Sequence, residues 1–205
     1  MTKIILMRHG ETVWNTLGRW QGHAPTPLSE DGILQVQHAA QNLYQHQPLD
    51  AIYSSDLLRA QQTAKIVAEI YQLPINLEPR LREINLGAWQ GLTREEIMAW
   101  DSERYQALWQ QHHLPRPGGE SLQQVGQRAN DAIQMWLKEH PNQVILGVTH
   151  GGTIRGLLYH LGLSDGNSST NIKNTSLTTL IYEDGIWHLE NIGQVTFYPN
   201  LDCEE

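Results

Sequence analysis

The sequence predicts an α/β fold: three layers, with a mostly parallel central sheet flanked by helices. Three observations carry that expectation. Strand-like and helix-like segments alternate along the chain, as they do when crossover helices join parallel strands. The runs Ile4-Ile5-Leu6-Met7 and Val144 to Thr149 read as buried strands. Each leads straight into a histidine and glycine, His9-Gly10 and His150-Gly151-Gly152. Strand ends are where an open α/β sheet presents its chemistry.

In chain order, the first strand is Lys3 to Arg8. Ser29 is the expected N-cap of the next helix, with Glu30 and Asp31 suiting the helix dipole. Ile33, Val36, Ala40 and Leu43 follow at helical spacing. Asp50 to Ser54 is a short strand, and Ser55 or Asp56 is expected to cap the next helix, whose face is Ala60, Ala64, Val67 and Tyr71. Pro74 stops it, and Ile75 to Leu77 reads as another strand. Thr93-Arg94-Glu95-Glu96 is a capping-box pattern opening a helix through about Trp109. Pro115, Pro117, Gly118 and Gly119 form a loop. Ser121 with Gln124 starts a longer helix carrying Leu122, Val125, Ala129, Ala132, Ile133 and Trp136 inward, and Pro141 ends it. A helix with Ile154, Leu157, Leu158 and Leu161 follows His150. Ser176 to Tyr182 and Trp187 to Ile192, around a Glu-Asp-Gly turn, read as a hairpin.

At 205 residues the chain is expected to be one domain over 1–205, with a helical lid-like insertion at about 88–118. The formal net charge of −8 argues against nucleic acid as a partner. A local Arg and His cluster still binds a small anion, because pocket charges act at short range. The only cysteine, Cys203, lies in the tail, which leaves no disulfide framework, Cys-based zinc site or Cys nucleophile. No apolar stretch approaches the ~20 residues that span a bilayer, and the first apolar run is too short for a signal peptide. The expectation is a cytoplasmic protein without membrane contact. On that expectation the acceptor patterns Asn167-Ser168-Ser169 and Asn174-Thr175-Ser176 are incidental.

A third strand end, Ser54-Ser55, leads into a helix whose first turn holds Arg59. If the three strands are neighbours, His9, His150, Arg8 and Arg59 converge on one crevice. Successive strand side chains point to opposite faces, so Arg8 and His9 share a site only if the chain bends, and Gly10 permits a bend. Arg beside a neutral imidazole suits an anionic substrate attacked by nitrogen. Glu78, Glu83, Glu95 and Glu96 are not distinguished from one another by this reasoning.

The stretch Arg8-His9-Gly10-Glu11-Thr12-Val13-Trp14-Asn15 resembles the signature of the histidine phosphatase superfamily, in its phosphoglycerate mutase-like branch. The resemblance continues through Gln21-Gly22, Pro27-Leu28-Ser29, Gly32 and the run Ser54 to Ala64. It extends through Leu81-Arg82-Glu83, Gly87-Ala88-Trp89-Gln90-Gly91 and Pro117-Gly118-Gly119-Glu120-Ser121. It closes with Val148 to Arg155 and Asn174-Thr175-Ser176. These blocks span nearly the whole chain in order. One departure is Pro25, where many members carry an acidic residue in the substrate loop.

The resemblance implies that His9 is a nucleophile that becomes a phosphohistidine. Arg8, Arg59 and His150 then surround the phosphoryl group, Asn15 donates to it and Glu83 is the proton donor. Gln21, Gly22 and Gly151 complete the implied substrate contacts. The chemistry agrees: phosphoryl transfer needs positioning and stabilisation of oxygen charge, Arg forks supply both, and a carboxyl group can protonate the leaving alkoxide. The expected function is a phosphomonoester hydrolase acting on small soluble phosphorylated metabolites, metal-independent and without cofactor. α-Ribazole 5′-phosphate, sugar phosphates, glycolytic acids and phosphoserine are candidate substrates. The alternatives are a cofactor-dependent phosphoglycerate mutase and an inactive binding scaffold. Mutases of this family usually carry a longer segment between the Glu83 block and the Gly-Gly-Glu-Ser block. The oligomeric state is open, with a homodimer among the options. The Trp- and Tyr-rich segment from Trp89 to Trp109 is expected either to cover the crevice or simply to pack as a helix.

Overall fold

The structure is a computed structural model that describes residues 1–167 and 172–195. Ser168 and Ser169 of the first acceptor pattern, and the tail with Phe197 and Cys203, lie outside the described residues.

The strands are β1 (Thr2–Arg8), β2 (Ala51–Ser54), β3 (Ile75–Leu77), β4 (Val144–Thr149), β5 (Leu177–Glu183) and β6 (Ile186–Gln194). They form one sheet in the order β3-β2-β4-β1-β5-β6. β1 pairs parallel with β4, β4 with β2 and β2 with β3. β5 and β6 add an antiparallel hairpin beside β1. The sheet is therefore mixed and mostly parallel, and the three strand ends meant to converge belong to the adjacent strands β2, β4 and β1.

The helices are α1 (Val13–Thr16), α2 (Glu30–His46), α3 (Leu58–Tyr71), α4 (Arg94–Ala107), α5 (Leu122–Glu139) and α6 (Gly151–His160). Alternation along the strands sorts the core into two layers. Ile5, Met7, Ile52, Leu146 and Val148 pack with Ala39, Ala40, Leu43, Ala60, Ala64 and Val67 of α2 and α3. Ile4, Leu6, Ala51, Tyr53 and Ile145 pack on the other side with Ala129, Ile133, Trp136, Ile154 and Leu157 of α5 and α6. Each such aliphatic side chain contributes roughly 1.5–3 kcal/mol by leaving water.

The expected caps hold at three helices. Ser29 Oγ accepts the Gly32 N–H at the start of α2. Thr93 with Glu96 and Ser121 with Gln124 form reciprocal capping boxes at α4 and α5. At α3 neither Ser55 nor Asp56 is the cap: Leu57 occupies that position without a side-chain bond. Asp56 is instead held by Arg82 in a two-pronged pair, and Ser55 Oγ accepts the N–H of Leu57 itself and meets His150. α4 ends at Ala107, short of Trp109, and kinks at Asp101 (φ −146°, ψ 60°), whose carboxylate then accepts the Arg104 N–H. The short helix α1, capped by Thr12 and Asn15, has too few residues to show a period in the sequence.

A third apolar cluster sits beside the sheet. Ile84, Leu86, Trp89, Ile97, Tyr105, Leu108, Leu122 and Val125 are buried together, flanked by Trp20 and Trp109. Trp89 is fully enclosed, whereas Trp100 is 57% exposed. Most rings of this segment therefore serve its packing. Among the described residues no helix is long and apolar enough to cross a membrane.

Candidate active site

A cavity of about 260 Å³ opens at the C-terminal ends of β1, β4 and β2. Its wall includes Arg8, His9, Asn15, Gln21, Gly22, Arg59, Glu83 and Gly151, all expected from the sequence. His150 stands behind that wall, fully buried, with its ring centroid 5.1 Å from that of His9.

His9 follows the last residue of β1 and its N–H donates to Thr149 C=O, tying it to the end of β4 (3.0 Å). Its Nδ1 lies 2.7 Å from Gly10 C=O. A carbonyl only accepts, so Nδ1 carries the proton. Arg59 Nε donates to His9 Nε2 at 3.2 Å, so that nitrogen keeps its lone pair. Burial, then the positive charges of Arg59 and Arg8, push the imidazole well below its ordinary pKa. Neutral His9 thus presents a nitrogen lone pair.

Gly10 does not act as a left-handed bend: its φ is not positive. A Cβ there would lie 2.5 Å from Val36 Cγ2 and 2.8 Å from Gly32 C=O. The residue is needed for the close seating of this loop on α2.

Arg59, in the first turn of α3, is fully buried. Its Nη1 donates to Ala24 C=O (3.1 Å) and its Nη2 to Gly22 C=O (2.8 Å). Gly22 turns with φ +50°, aiming that carbonyl. Burial lowers the Arg59 pKa to about 10, with Glu83 opposing and Arg8 adding to the shift. Arg8 Nη1 donates to Ile172 C=O (2.7 Å), while its Nε is buried without a partner. Pro25 itself is exposed and outside the wall, although its neighbour Ala24 holds Arg59.

Glu83 is fixed by backbone donors. Ile84 N–H donates to Oε1 (2.9 Å) and Gly152 N–H, at the start of α6, donates to Oε2 (3.2 Å). A Cβ on Gly152 would come within 2.4 Å of Oε1. His23 Nε2 (2.7 Å) and Arg128 Nη2 (2.9 Å) both reach the Glu83 carbonyl. The Asn15 side-chain oxygen accepts from Thr12 N (3.1 Å) and Thr12 Oγ1 (3.0 Å). Its amide NH2 is thereby left as the donor for the cavity. Gln21 is buried, its oxygen accepting from Thr26 Oγ1.

His150 Nε2 lies 2.8 Å from Ser55 Oγ. Ser55 Oγ also accepts from Leu57 N (3.3 Å); a hydroxyl has one proton and two lone pairs, so this contact accommodates either His150 tautomer. His150 Nδ1 is buried without a protein partner. Burial, Arg59 and His9 hold this imidazole well below its ordinary pKa. It is a neutral imidazole rather than a cation.

The model of the histidine phosphatase superfamily (branch 1) matches residues 4–195. The chain belongs to that superfamily. It is 35% identical to a metal-independent phosphoserine phosphatase from Arabidopsis thaliana, over 98% of this chain and 85% of that protein. It is also 35% identical to a probable phosphoglycerate mutase from Yersinia pestis, over 91% of this chain and 88% of that protein. A mycobacterial glucosyl-3-phosphoglycerate phosphatase superposes with a TM-score of 0.86 at 33% identity, covering 94% of this chain and 99% of that one. The fold is the phosphoglycerate mutase-like α/β fold.

In this histidine phosphatase, sequence reasoning missed several wall residues. Arg116 and Arg155 line the cavity, as do Trp20, Trp109, Ile172 and Arg19. Arg155 lies within a matched block but four positions after Gly151, so it shares that helix face. Arg116 had one available signal: it is a lone cation between Pro115 and Pro117, where a loop is stiffened. Arg19 is engaged at the rim, donating to Gly91 C=O (2.6 Å) and pairing with Glu96 (3.3 Å).

Proposed function

We propose that this chain hydrolyses small phosphomonoesters in two displacements through a phosphohistidine at His9. The observation that carries the reading is the His9 tautomer. Its proton sits on Nδ1 and its lone pair on Nε2, inside a cavity walled by guanidinium groups.

In the first step the Nε2 lone pair forms a bond to phosphorus and the ester P–O bond breaks. Glu83 gives a proton to the departing alkoxide. A phosphoryl oxygen takes over the Arg59 N–H that donates to His9 without substrate. Arg8 Nε and the Asn15 amide supply further donors, and His150 backs them from behind the wall in the tautomer that carries its proton on Nδ1, so charge on the phosphoryl oxygens is met by groups already in place. In the second step the Glu83 carboxylate takes a proton from water. That oxygen attacks phosphorus, the P–N bond breaks, and inorganic phosphate leaves with His9 neutral again.

The fixed seat of Glu83 between two backbone donors supports its double use as acid and base. The segment 88–118 is read as a cover of the cavity, since Trp109 and Arg116 belong to both. The family and the phosphatase relatives favour hydrolysis over mutase action.

The test is phosphate release from a panel of phosphoserine, 3-phosphoglycerate, sugar phosphates and α-ribazole 5′-phosphate, beside formation of 2-phosphoglycerate from 3-phosphoglycerate. Phosphate release should dominate, remain unchanged with a chelator, and fall at least ~10³-fold in His9→Ala. Isomerisation outrunning release would make the chain a mutase. Turnover surviving in His9→Ala would remove the nucleophile, and no turnover of any ester would leave a binding scaffold.

A further inference from the structure

Five arginines line the cavity: Arg19 is paired with Glu96 at the rim, and the other four, buried or half-buried, surround one carboxylate, Glu83. Arg8 and Arg59 stand at His9 and are taken up by the phosphoryl group in the reading above. Arg116 and Arg155 are not. Arg116 is only 9% exposed; its N–H and Nη1 both donate to Glu120 C=O, and its Nε is buried without a partner. Arg155 Nε, on α6, is also buried without a partner.

Among the described residues no carboxylate forms a direct ion pair with either guanidinium, and Glu83 acts on both only at a distance. Glu120 is committed to Arg128 (2.9 Å) and to the Asn85 N–H (2.8 Å). Glu83 is held by the N–H groups of Ile84 and Gly152. A buried guanidinium that lacks a counter-ion is costly. Burial, together with the charge of Arg155, lowers the Arg116 pKa to about 10, against the pull of Glu83. The molecule nonetheless keeps both cations at this wall while its net charge is −8.

We infer that Arg116 and Arg155 form a second anion subsite, and that the substrate is a small phosphorylated acid whose carboxylate they grip. The inference rests on the phosphoryl site at His9, Arg8 and Arg59 proposed above. The ligand chemistry follows from charge and space. A phosphomonoester dianion answers two of the four guanidinium groups, which leaves two for another anion. At about 260 Å³ the cavity is smaller than the roughly 300–1,000 Å³ that hold drug-sized ligands. The second anion must therefore be compact and close to the ester. Planar guanidinium groups suit a carboxylate.

Two matched pairs of probes isolate the carboxylate: phosphoserine against phosphoethanolamine, and 3-phosphoglycerate against glycerol 3-phosphate. Binding is measured by calorimetry in His9→Ala, where no phosphoryl transfer to that residue intervenes. The acid of each pair should bind at least ~10-fold more tightly than its partner. That ratio should collapse toward one in His9→Ala carrying Arg116→Gln or Arg155→Gln. Ratios near one without either arginine change, binding of none of the probes, or ratios that persist in both arginine variants overturn the subsite. The unaltered chain is assayed in parallel for phosphate release. Absence of release there overturns the hydrolase reading alone, because the binding ratios are read without turnover.

Discussion

At the residue scale, the site depends on a few atoms whose neighbours leave them no alternative. The His9 proton is placed by a carbonyl on one side and a guanidinium on the other. Glu83 owes its seat to the absence of a side chain at Gly152. Gly152→Ala should push Oε1 aside and weaken the N–H contact to Oε2. The expected result is a kcat lowered by about 10–100-fold, the usual cost of displacing a reacting group by about 1 Å. KM should change little, because the arginines that grip the substrate are untouched. Steady-state kinetics would decide it, and an unchanged kcat would remove Glu83 from the proton-transfer role. His9 and Arg59 were legible in the sequence because each sits at or just after a strand end. Glu83 was legible only through the resemblance, since its two backbone donors include one from a distant helix. Ser55 was misread as the cap because its hydroxyl does accept a nearby N–H, that of Leu57, but Leu57 itself holds the cap position and the same hydroxyl also meets the His150 imidazole.

At the element scale, the wall opposite the sheet depends on two loops pressed together. Gly87 has φ +53°, and a Cβ there would lie 2.0 Å from Pro117 C=O. A Cβ on Gly119 would lie 2.1 Å from Asn85 C=O. These contacts are with backbone, which cannot swing away as a flexible side chain could. Gly87→Ala should therefore cost about 2 kcal/mol or more, seen as a melting temperature lowered by roughly 4–8 °C. It should also loosen the loop that carries Arg116. A thermal melt within one degree of the unaltered chain would show that the loops can separate freely. Sequence periodicity gave the types of these helices and strands, and the capping boxes at Thr93 and Ser121 gave two starts correctly. It missed the kink of α4 at Asp101, because nothing in the spacing distinguishes an aspartate on a helix from one that restarts it.

At the scale of the whole molecule, two imidazoles are kept neutral by burial and by surrounding arginines. Their folded pKa values lie below the ordinary 6.5. Above pH 6.5 both states of the chain carry them uncharged, so they add no pH dependence. As pH falls below 6.5, the unfolded chain takes up protons that the folded chain refuses, and stability declines. Each imidazole contributes about 1.4 kcal/mol per pH unit until it protonates in the folded state. Asp56, Glu78 and Glu120 also have lowered pKa values. Their stabilisation is lost only below the ordinary carboxylate range, so pH 7.5 to 5.5 isolates the imidazoles. Urea unfolding across that interval should show the decline, and His150→Gln should flatten it by about half. A flat profile in the unaltered chain would mean that the imidazoles protonate without resistance.

Local order in the chain determined the alternation of strands and helices, the two strand-to-histidine junctions and the family. These features depend on neighbours within a few positions, where periodicity and motifs operate. Only the tertiary structure decided that β2, β4 and β1 lie side by side, that His150 stands behind the wall rather than in it, and that Arg116 and Arg155 join it. The physical reason is that charge and burial are set by distance in space. A guanidinium between two prolines acquires its meaning only when a separate helix brings a second one to the same cavity.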